Sequence, residues 1–169
     1  MTTTRPIAFV LGSDSDLGAL EGAFKILQDL DIGFHVRILS AHRTPEQACE
    51  FARTAHDNGI KVLIGVAGMS AHLAGALAAH SALPVFGVPI DNGPMRGEAA
   101  LWSTVMMPPG IPVAATGIGK SAAKNAALMA VRILALSDDR IAEQLQGLRT
   151  QEVDKTLAKD REVRERFNC

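Results

Sequence analysis

Five short apolar runs, separated by segments of helical character, limit the folds open to this 169-residue chain. Each run has the length of a strand and is rich in β-branched or other apolar residues, which is typical of strands in a buried sheet. Because helical segments alternate with these runs, successive strands are expected to lie parallel, with helices covering both faces. We therefore predict an α/β fold, a doubly wound three-layer sandwich with a five-stranded parallel sheet. The runs are 7–11, 35–39, 61–66, 84–88 and 111–115.

The helical segments follow the same alternation. Thr44 is the predicted N-cap of one of them, with Pro45 in its first turn. Residues 120–137 are apolar nearly all round, which predicts a buried helix. Beyond residue 138 the chain is charged with sparse apolar positions, which predicts one or two amphipathic helices on the body or on a neighbouring subunit. We expect a single domain, 1–169, with an α/β core at 6–137 and a helical extension at 138–169. The predicted core helices are 16–30, 44–59, 70–81, 97–107 and 120–137.

Composition and charge argue against two classes of partner. The net charge is −1 and no basic block occurs, so the chain lacks the usual features of a phosphate-backbone binder. Aromatic residues make up 4% of the chain, too few for a base-stacking surface. No apolar run has the length of a membrane span, and no signal-like start is visible. Together with two cysteines interpreted as free thiols, these features predict a cytoplasmic protein without nucleic-acid or membrane partners.

The segments that follow the five strands should carry the chemistry. In an open parallel sheet, ligands bind beyond the carboxyl ends of the strands, near the point where strand order reverses. These segments gather serines, glycines, two histidines, two arginines and a lysine on one edge of the sheet. They are "GSDSD" (12–16), "SAHRTP" (40–45), "AGMSAH" (67–72), "PIDNGPMRG" (89–97) and "TGIGKS" (116–121).

Two of these segments have more than one interpretation. Ser13, Ser15 and Asp16 can cap the helix that follows them, or they can form the floor of a pocket. A carboxylate repels phosphate, so Asp16 suits a ribose diol or a ring amine better. Lys120 ends a stretch that resembles part of a P-loop, but the full spacing is absent, and the segment is weak evidence for ATP binding.

Among the five histidines, His42 and His72 stand at strand ends between serines and glycines. A neutral imidazole there can reach a ligand and exchange a proton near neutral pH. His35, His56 and His80 fall within or after regular elements, where a structural or exposed position is expected. A metal site would need a third ligand that the sequence does not supply, so paired catalysis without a metal is the favoured interpretation.

The order of these motifs resembles a known family. "GSDSD", "SAHRTP", "AGMSAHLAG", "PVFGVPI" and "MPPGIPVAATGIGKSAAKNAALMAVRIL" look like the bacterial 5-(carboxyamino)imidazole ribonucleotide mutases of purine biosynthesis, from residue 6 to about 137. The resemblance implies a flavodoxin-like sandwich, a homo-oligomer that is usually an octamer, and a reaction without a cofactor. In that reaction the substrate's carbamate loses CO2, which the adjacent ring carbon recaptures.

The resemblance also implies roles for the motif residues. It makes His42 the general acid/base and places His72 in the same pocket. Residues matching Ser13, Asp16 and Arg43 bind the nucleotide, with Arg43 suited to the 5′-phosphate. Ser40 is predicted to bind substrate with them, and the further candidates are Ser15, Gly68 and Lys120.

Two positions depart from the family pattern, and other functions stay open. Ala74 replaces the usual proline of "AHLPG", and "PMRG" (94–97) replaces "ALSG", with Arg96 where a small polar residue is expected. One alternative is a paralogue acting on a related ribonucleotide; another is a carboxylase that takes free CO2. That branch typically has lysine in place of Arg43 and lacks His72. A non-catalytic nucleotide-binding module of the same fold is the alternative from another class.

Overall fold

The computed structural model describes residues 4–93 and 95–168. Its five strands form one parallel sheet in the order β2-β1-β3-β4-β5. Helices lie between successive strands, so the predicted α/β, flavodoxin-like fold is confirmed. The strands are β1 (Ile7–Leu11), β2 (Phe34–Ile38), β3 (Val62–Ala67), β4 (Val85–Pro89) and β5 (Ala114–Ala115).

The centre of the sheet explains where a ligand can bind. Every residue of β1 is buried, and this strand pairs in parallel with β2 on one side and β3 on the other. The chain passes from β1 to the edge strand β2 and returns across β1 to form β3. The connections leave β1 and β3 in opposite directions, which opens a crevice at their carboxyl ends.

Six α-helices and one 3-10 helix accompany the sheet in the described residues. The predicted segment 16–30 divides into the 3-10 helix Asp14–Ala19 and a separate α-helix. The predicted C-terminal region forms one long helix of 29 residues. The helices are α1 (Glu21–Asp29), α2 (Pro45–Thr54), α3 (Leu73–Ala79), α4 (Glu98–Val105), α5 (Gly119–Ala135) and α6 (Asp139–Phe167).

Two local predictions have different outcomes: the length of the fifth strand is wrong, and Thr44 as the N-cap residue of α2 is confirmed. The fifth apolar run, 111–115, pairs only at Ala114–Ala115, because Pro112 has no N–H to donate to a ladder. Thr44 is the N-cap residue of α2, but its hydroxyl makes no capping hydrogen bond to that helix. It accepts instead from the Ser40 backbone N–H at 2.8 Å and donates to the Ser40 carbonyl at 3.2 Å, closing the turn after β2.

Helix α5 differs from its prediction in burial. It buries one stripe of small residues and exposes the opposite side, where Lys124, Asn125 and Met129 lie. An alanine stripe lets a helix approach its neighbours closely, so the apolar character of this segment serves one face. The stripe consists of Ala122, Ala123, Ala126, Ala127 and Ala130.

The chain falls into two compact units, Met1–Ala130 and Val131–Cys169, with the boundary inside α5. The first unit contains the whole sheet and the cavity described below. In the second, Asp138 caps α6 by accepting a hydrogen bond from the Ile141 N–H at 3.2 Å. The single domain with its core at 6–137 stays a prediction.

Two further features concern the predictions made from composition. Within the described residues, no helix has the length and apolar character needed to cross a membrane. Cys49 is a free, half-buried thiol. Three parts of the chain lie outside the described residues: residues 1–3, Pro94 of "PMRG" and Cys169. The prediction that the chain has no signal-like start rests partly on residues 1–3.

Candidate functional site

A cavity of about 520 Å³ opens at the carboxyl ends of β1, β2 and β3. We call it the switch-point cavity, because it lies where the strand order reverses. Four of the five predicted segments line it, and they come from four different strand ends. The lining residues are Gly12, Ser13, Ser15 and Asp16 after β1, residues 40–43 after β2, residues 67–70 with Leu73 after β3, and Asn92 after β4.

The first segment both caps a helix and lines the cavity. Ser13 is the N-cap of the 3-10 helix, and its Oγ accepts hydrogen bonds from the Ser15 N–H at 3.3 Å and the Ser15 hydroxyl at 2.9 Å. The two interpretations of this stretch are therefore compatible. The tight turn directs the Asp16 side chain into the protein, and this residue is 2% exposed.

Asp16 is one of two buried polar residues among the described residues. Burial raises the pKa of its carboxyl above the ordinary value, and the neighbouring Asp14 adds to that rise. Hydrogen bonds from Ser15 and from the backbone at Ser13, together with the positive charge of Arg43, act in the opposite direction. The charged form of this carboxyl group therefore costs free energy, because burial removes most of its contacts with water.

The second segment is a turn built around Ser40. Its Oγ accepts from the backbone N–H groups of His42 at 3.3 Å and Arg43 at 3.2 Å. These bonds fix the directions in which the two following side chains leave the backbone. The Arg43 guanidinium donates to the Gly12 carbonyl, which ties the turn after β2 to the turn after β1. That bond uses one of the five N–H donors of the arginine fork.

His42 and His72 meet although 30 residues separate them in sequence. His42 Nε2 lies 2.9 Å from His72 Nδ1, and the two rings are nearly perpendicular, at 88°. One nitrogen donates and the other accepts, so the pair shares a proton between the rings. His72 is the N-cap residue of α3, so it is carried by the third strand end while His42 is carried by the second.

The loops after β3 and β4 interlock above the cavity. A Cβ atom built on Gly68 would lie 1.8 Å from Asn92 Oδ1, so the Asn92 amide occupies the space that a side chain at residue 68 would need. A Cβ on Gly93 would lie 2.8 Å from Met69 Sδ. Met69 has a φ of 56°, in the left-handed region that a methionine adopts only at a cost of about 1–3 kcal/mol.

Most of the predicted site residues come together. Ser13, Ser15, Asp16, Ser40, His42, Arg43 and Gly68 line the cavity, and His72 joins it through His42. Lys120 lies at the start of α5 and does not line it. Its segment follows β5, which is separated from β1 by two strands, or roughly 14 Å at the usual strand spacing. The proposed roles of all these residues stay predictions.

Asn92 lines the cavity and was not singled out from the sequence. Its Nδ2 donates to Asp16 Oδ1 at 3.5 Å, across 76 residues of chain. The available signal was its place in the segment after the fourth strand. The departures at Ala74 and Arg96 have different outcomes: Ala74 is buried in the first turn of α3 against Gly65, while Arg96 is exposed and does not line the cavity.

No group of three or more His, Cys, Asp or Glu that could hold a metal ion comes together in residues 4–93 and 95–168. The donor set of the cavity is suited instead to proton exchange at the histidine pair and to anion binding at Arg43. These features define the class: an α/β protein with a histidine pair and an arginine at the carboxyl ends of its parallel strands.

Comparison with known proteins narrows that class. The model of the AIR carboxylase family matches residues 6–155, which extends beyond the core into α6. A Pyrococcus abyssi protein named N5-carboxyaminoimidazole ribonucleotide mutase is 48% identical over 143 residues, covering 85% of this chain and 81% of its own. A Haemophilus influenzae protein of the same name is 44% identical over 157 residues, covering 93% and 96%.

A solved structure agrees with these relatives. The crystal structure of Treponema denticola PurE superposes with a TM-score of 0.83 at 30% sequence identity, covering 94% of this chain and 99% of that one. The chain therefore belongs to the AIR carboxylase family, and the resemblance identified from its motifs is confirmed.

Proposed function

We propose that this protein is an N5-carboxyaminoimidazole ribonucleotide mutase, an isomerase of purine biosynthesis. The curated relatives named for that activity support the assignment. The observation on which the mechanism depends is the histidine pair, 2.9 Å apart at the mouth of the switch-point cavity. It supplies a group that can give and take one proton within a single binding event.

The proposed reaction has two half-reactions, both within one cavity. The bond between the exocyclic nitrogen and the carbamate carbon breaks, CO2 leaves, and the nitrogen receives a proton from His42. The adjacent ring carbon then attacks the CO2, a carbon–carbon bond forms, and His42 takes back the proton that the ring carbon loses. The product is 4-carboxy-5-aminoimidazole ribonucleotide, and atoms balance without a cofactor.

Proximity supports this sequence of steps. CO2 released into a cavity of about 520 Å³ stays next to the ring carbon if the ligand and the loops exclude water. Gly12, among the lining residues, carries no side chain and lets a ring approach its backbone. His72 holds the His42 ring through one nitrogen, and we assign it to ring orientation and to contact with the migrating carboxyl group.

Binding of the nucleotide is assigned to the two turns that Arg43 ties together. Arg43 suits the 5′-phosphate, since its planar fork can donate two parallel hydrogen bonds to phosphate oxygens. Ser13 and Ser40 offer hydroxyls in the same cavity as Arg43. Asp16 is assigned to the ribose hydroxyls, which donate hydrogen bonds to a carboxylate and carry no charge to repel it.

The choice between mutase and carboxylase is tested by substrate. The purified protein is given the carbamate nucleotide, and separately aminoimidazole ribonucleotide with bicarbonate, both without ATP. We expect rapid formation of the 4-carboxy product from the carbamate alone. Conversion that is limited by free CO2 would favour the carboxylase, and the absence of either conversion would leave only a binding module or another substrate.

A homo-oligomer, with an octamer as the expected form, is the proposed assembly. Support comes from large apolar side chains that a single chain leaves in solvent at the end of α4. Trp102 is 54% exposed, and Met106 is 74% exposed. Patches of this kind on a folded protein commonly mark interfaces. Sedimentation of the wild-type protein tests the proposal, and a stable monomer at micromolar concentration would contradict it.

A cytoplasmic location without nucleic-acid or membrane partners is proposed from the sequence. The net charge of −1 gives little attraction to polyanions such as nucleic acid. Fractionation of cells that express the tagged chain tests the location. Electrophoretic mobility shift at low salt tests the absence of nucleic-acid binding.

A further inference from the structure

We infer that Asn92 is a positioning residue: it fixes the orientation of the Asp16 carboxyl group for the ribose of the substrate. The inference rests on the proposed function for its meaning in catalysis, but the contact itself stands on the structure. Asn92 comes from the loop after β4, and Asp16 from the turn after β1, so the pair joins two strand ends that are not neighbours in the sheet.

The first observation is the hydrogen bond. Asn92 Nδ2 donates to Asp16 Oδ1 at 3.5 Å. The Ser15 hydroxyl lies 3.4 Å from the same oxygen, but its one proton also faces Ser13 Oγ at 2.9 Å, so Asn92 is the donor that comes from outside this turn. A donor on the carboxylate oxygen restricts rotation of the carboxyl group and favours its charged form.

The second observation is the absence of a side chain at residue 68. The three atoms nearest to a Cβ built on Gly68 all belong to the Asn92 amide, at 1.8, 2.6 and 2.7 Å. The Asn92 amide therefore occupies the space beside the Gly68 Cα, where a larger residue would displace it. The position of the Asn92 side chain therefore requires glycine at residue 68, independently of any contact between the ligand and Gly68.

The loop that carries Asn92 is itself fixed by close contacts. The next residue, Gly93, has a φ of 86° and a position for Cβ that Met69 Sδ fills. At the end of the loop, Gly97 has a φ of 83°, and a Cβ there would lie 2.7 Å from Ile118 Cγ2. The backbone that follows Asn92 is thus constrained at two glycines, which suits a residue that positions another.

The test separates the donor from the shape of the side chain. Asn92→Leu keeps the cover over Gly68 and Asp16 but removes the N–H donor, and Asn92→Asp keeps the shape and replaces the donor with a negative charge. For Asn92→Leu we expect KM for the nucleotide to rise about fivefold, the loss of one ordinary hydrogen bond, with kcat nearly unchanged. Asn92→Asp should raise KM further. An unchanged KM in both variants would overturn the inference.

A second readout does not depend on activity. The protonation of Asp16 can be followed by its infrared carbonyl stretch, taken as the difference between each protein and its Asp16→Asn counterpart. We expect Asp16 to protonate at higher pH in Asn92→Leu than in the parent. If the parent lacks mutase activity but this shift occurs, the proposed function fails and the positioning role stands. If the shift is absent, the positioning role fails, whatever the activity.

The close contact between Gly68 and the Asn92 amide can be tested with a double-mutant cycle. Gly68→Ala should displace the amide and raise KM in the parent, but it should cost little more in an Asn92→Ala background, where the amide is gone. Gly18→Ala is the control, because nothing lies within 4 Å of a Cβ at that glycine. Equal harm from Gly68→Ala in both backgrounds would show that Gly68 serves the ligand directly and would contradict the coupling.

Discussion

The first unit contains a cavity that is larger than the switch-point cavity but lacks the features of a site. A cavity of about 810 Å³ lies between β2 and α2, and we call it the β2 cavity after its residues His35, Arg37, Glu50, Phe51 and Arg53. It contains a histidine and two arginines, as many candidate groups as the switch-point cavity. Residue types and volume alone would favour it.

The difference is in what the charged groups contact. In the β2 cavity, Arg53 pairs with Glu50 at 2.9 Å on its own helix, and the Arg37 guanidinium lies 5.3 Å above the Phe51 ring. In the switch-point cavity, side chains from separate strand ends contact one another, as His42 and His72 do. Convergence of distant segments, rather than volume, marks the candidate site.

The largest expected effect is at His42. Asparagine keeps a similar size and hydrogen-bonding capacity but cannot carry a proton, so His42→Asn should lower kcat by about 10²–10⁴-fold with the nucleotide still bound. His35→Asn in the β2 cavity is the matched control and should leave kcat near that of the wild type. Turnover and nucleotide affinity measured side by side test both variants.

His72→Asn refines the same prediction. We expect a smaller loss of kcat than for His42→Asn, because His72 is assigned to orientation and contact. Near-normal turnover in His42→Asn with none in His72→Asn would move the proton carrier to the third strand end. Activity retained in both would show that the switch-point cavity is not the site.

Next in size is the loss of the cation beside the phosphate. Arg43→Ala should weaken nucleotide binding by about 10- to 100-fold, the usual value of hydrogen bonds to charged groups, and reduce kcat at saturation much less. Arg43→Lys should recover part of the affinity, since lysine keeps the charge but not the fork. Calorimetric titration measures the affinity. A fall in kcat alone would give Arg43 a catalytic role instead.

A third prediction concerns Asp16 and its buried charge. Because burial raises the pKa of its carboxyl, the folded state binds the proton more tightly than the unfolded state does. Ionised Asp16 therefore lowers the free energy of unfolding progressively as pH rises above the ordinary value of 3.8 and through the folded pKa. Asp16→Asn should raise the free energy of unfolding at pH 7 while weakening nucleotide binding by about tenfold.

Urea denaturation across the acid range checks the sign. The stability gain of Asp16→Asn should shrink as pH falls and vanish below about 3.8, where both states are protonated. Asp57→Asn, at a carboxylate that is 87% exposed and lies outside this turn, is the control and should change stability little. A destabilised Asp16→Asn at pH 7 would show that its hydrogen bonds outweigh its burial.

The smallest effect is expected in the β2 cavity. Arg37→Ala should lower the free energy of unfolding by about 0.5–1 kcal/mol through loss of its contact with Phe51, with turnover unchanged. Burial, then Arg5 and Arg37, hold the pKa of His35 below its ordinary value, so this pKa should rise in Arg37→Ala. Thermal unfolding and a histidine titration by NMR measure the two. A loss of turnover would bring the β2 cavity into the function.

Much of this contrast was predictable from the sequence, because the carboxyl ends of parallel strands meet at one edge. The alternation of apolar runs and helices was enough to bring residues 12–16, 40–45 and 67–72 together. What the sequence left open depends on packing between loops. Lys120 does not line the cavity, because its segment follows β5, which lies three strand positions from β1.

Asn92, by contrast, lines the cavity but was not predicted to be a site residue. An asparagine beside a glycine is typical of a turn, and its contact with Asp16 depends on the left-handed backbone at Met69 and Gly93. The division of the first helical segment was also hidden, since a 3-10 turn and an α-helix favour the same polar residues at their start. The strands and the two site histidines could be predicted from local sequence, whereas the contacts between their side chains depend on the fold.

The most direct test is a crystal structure of the protein with the product nucleotide bound. The account predicts ligand density in the switch-point cavity, with the phosphate at Arg43, the ribose hydroxyls at Asp16 and the carboxylated ring within hydrogen-bond distance of His42. Density in the β2 cavity beside His35, or a nucleotide in the switch-point cavity with its ring remote from His42, would contradict it.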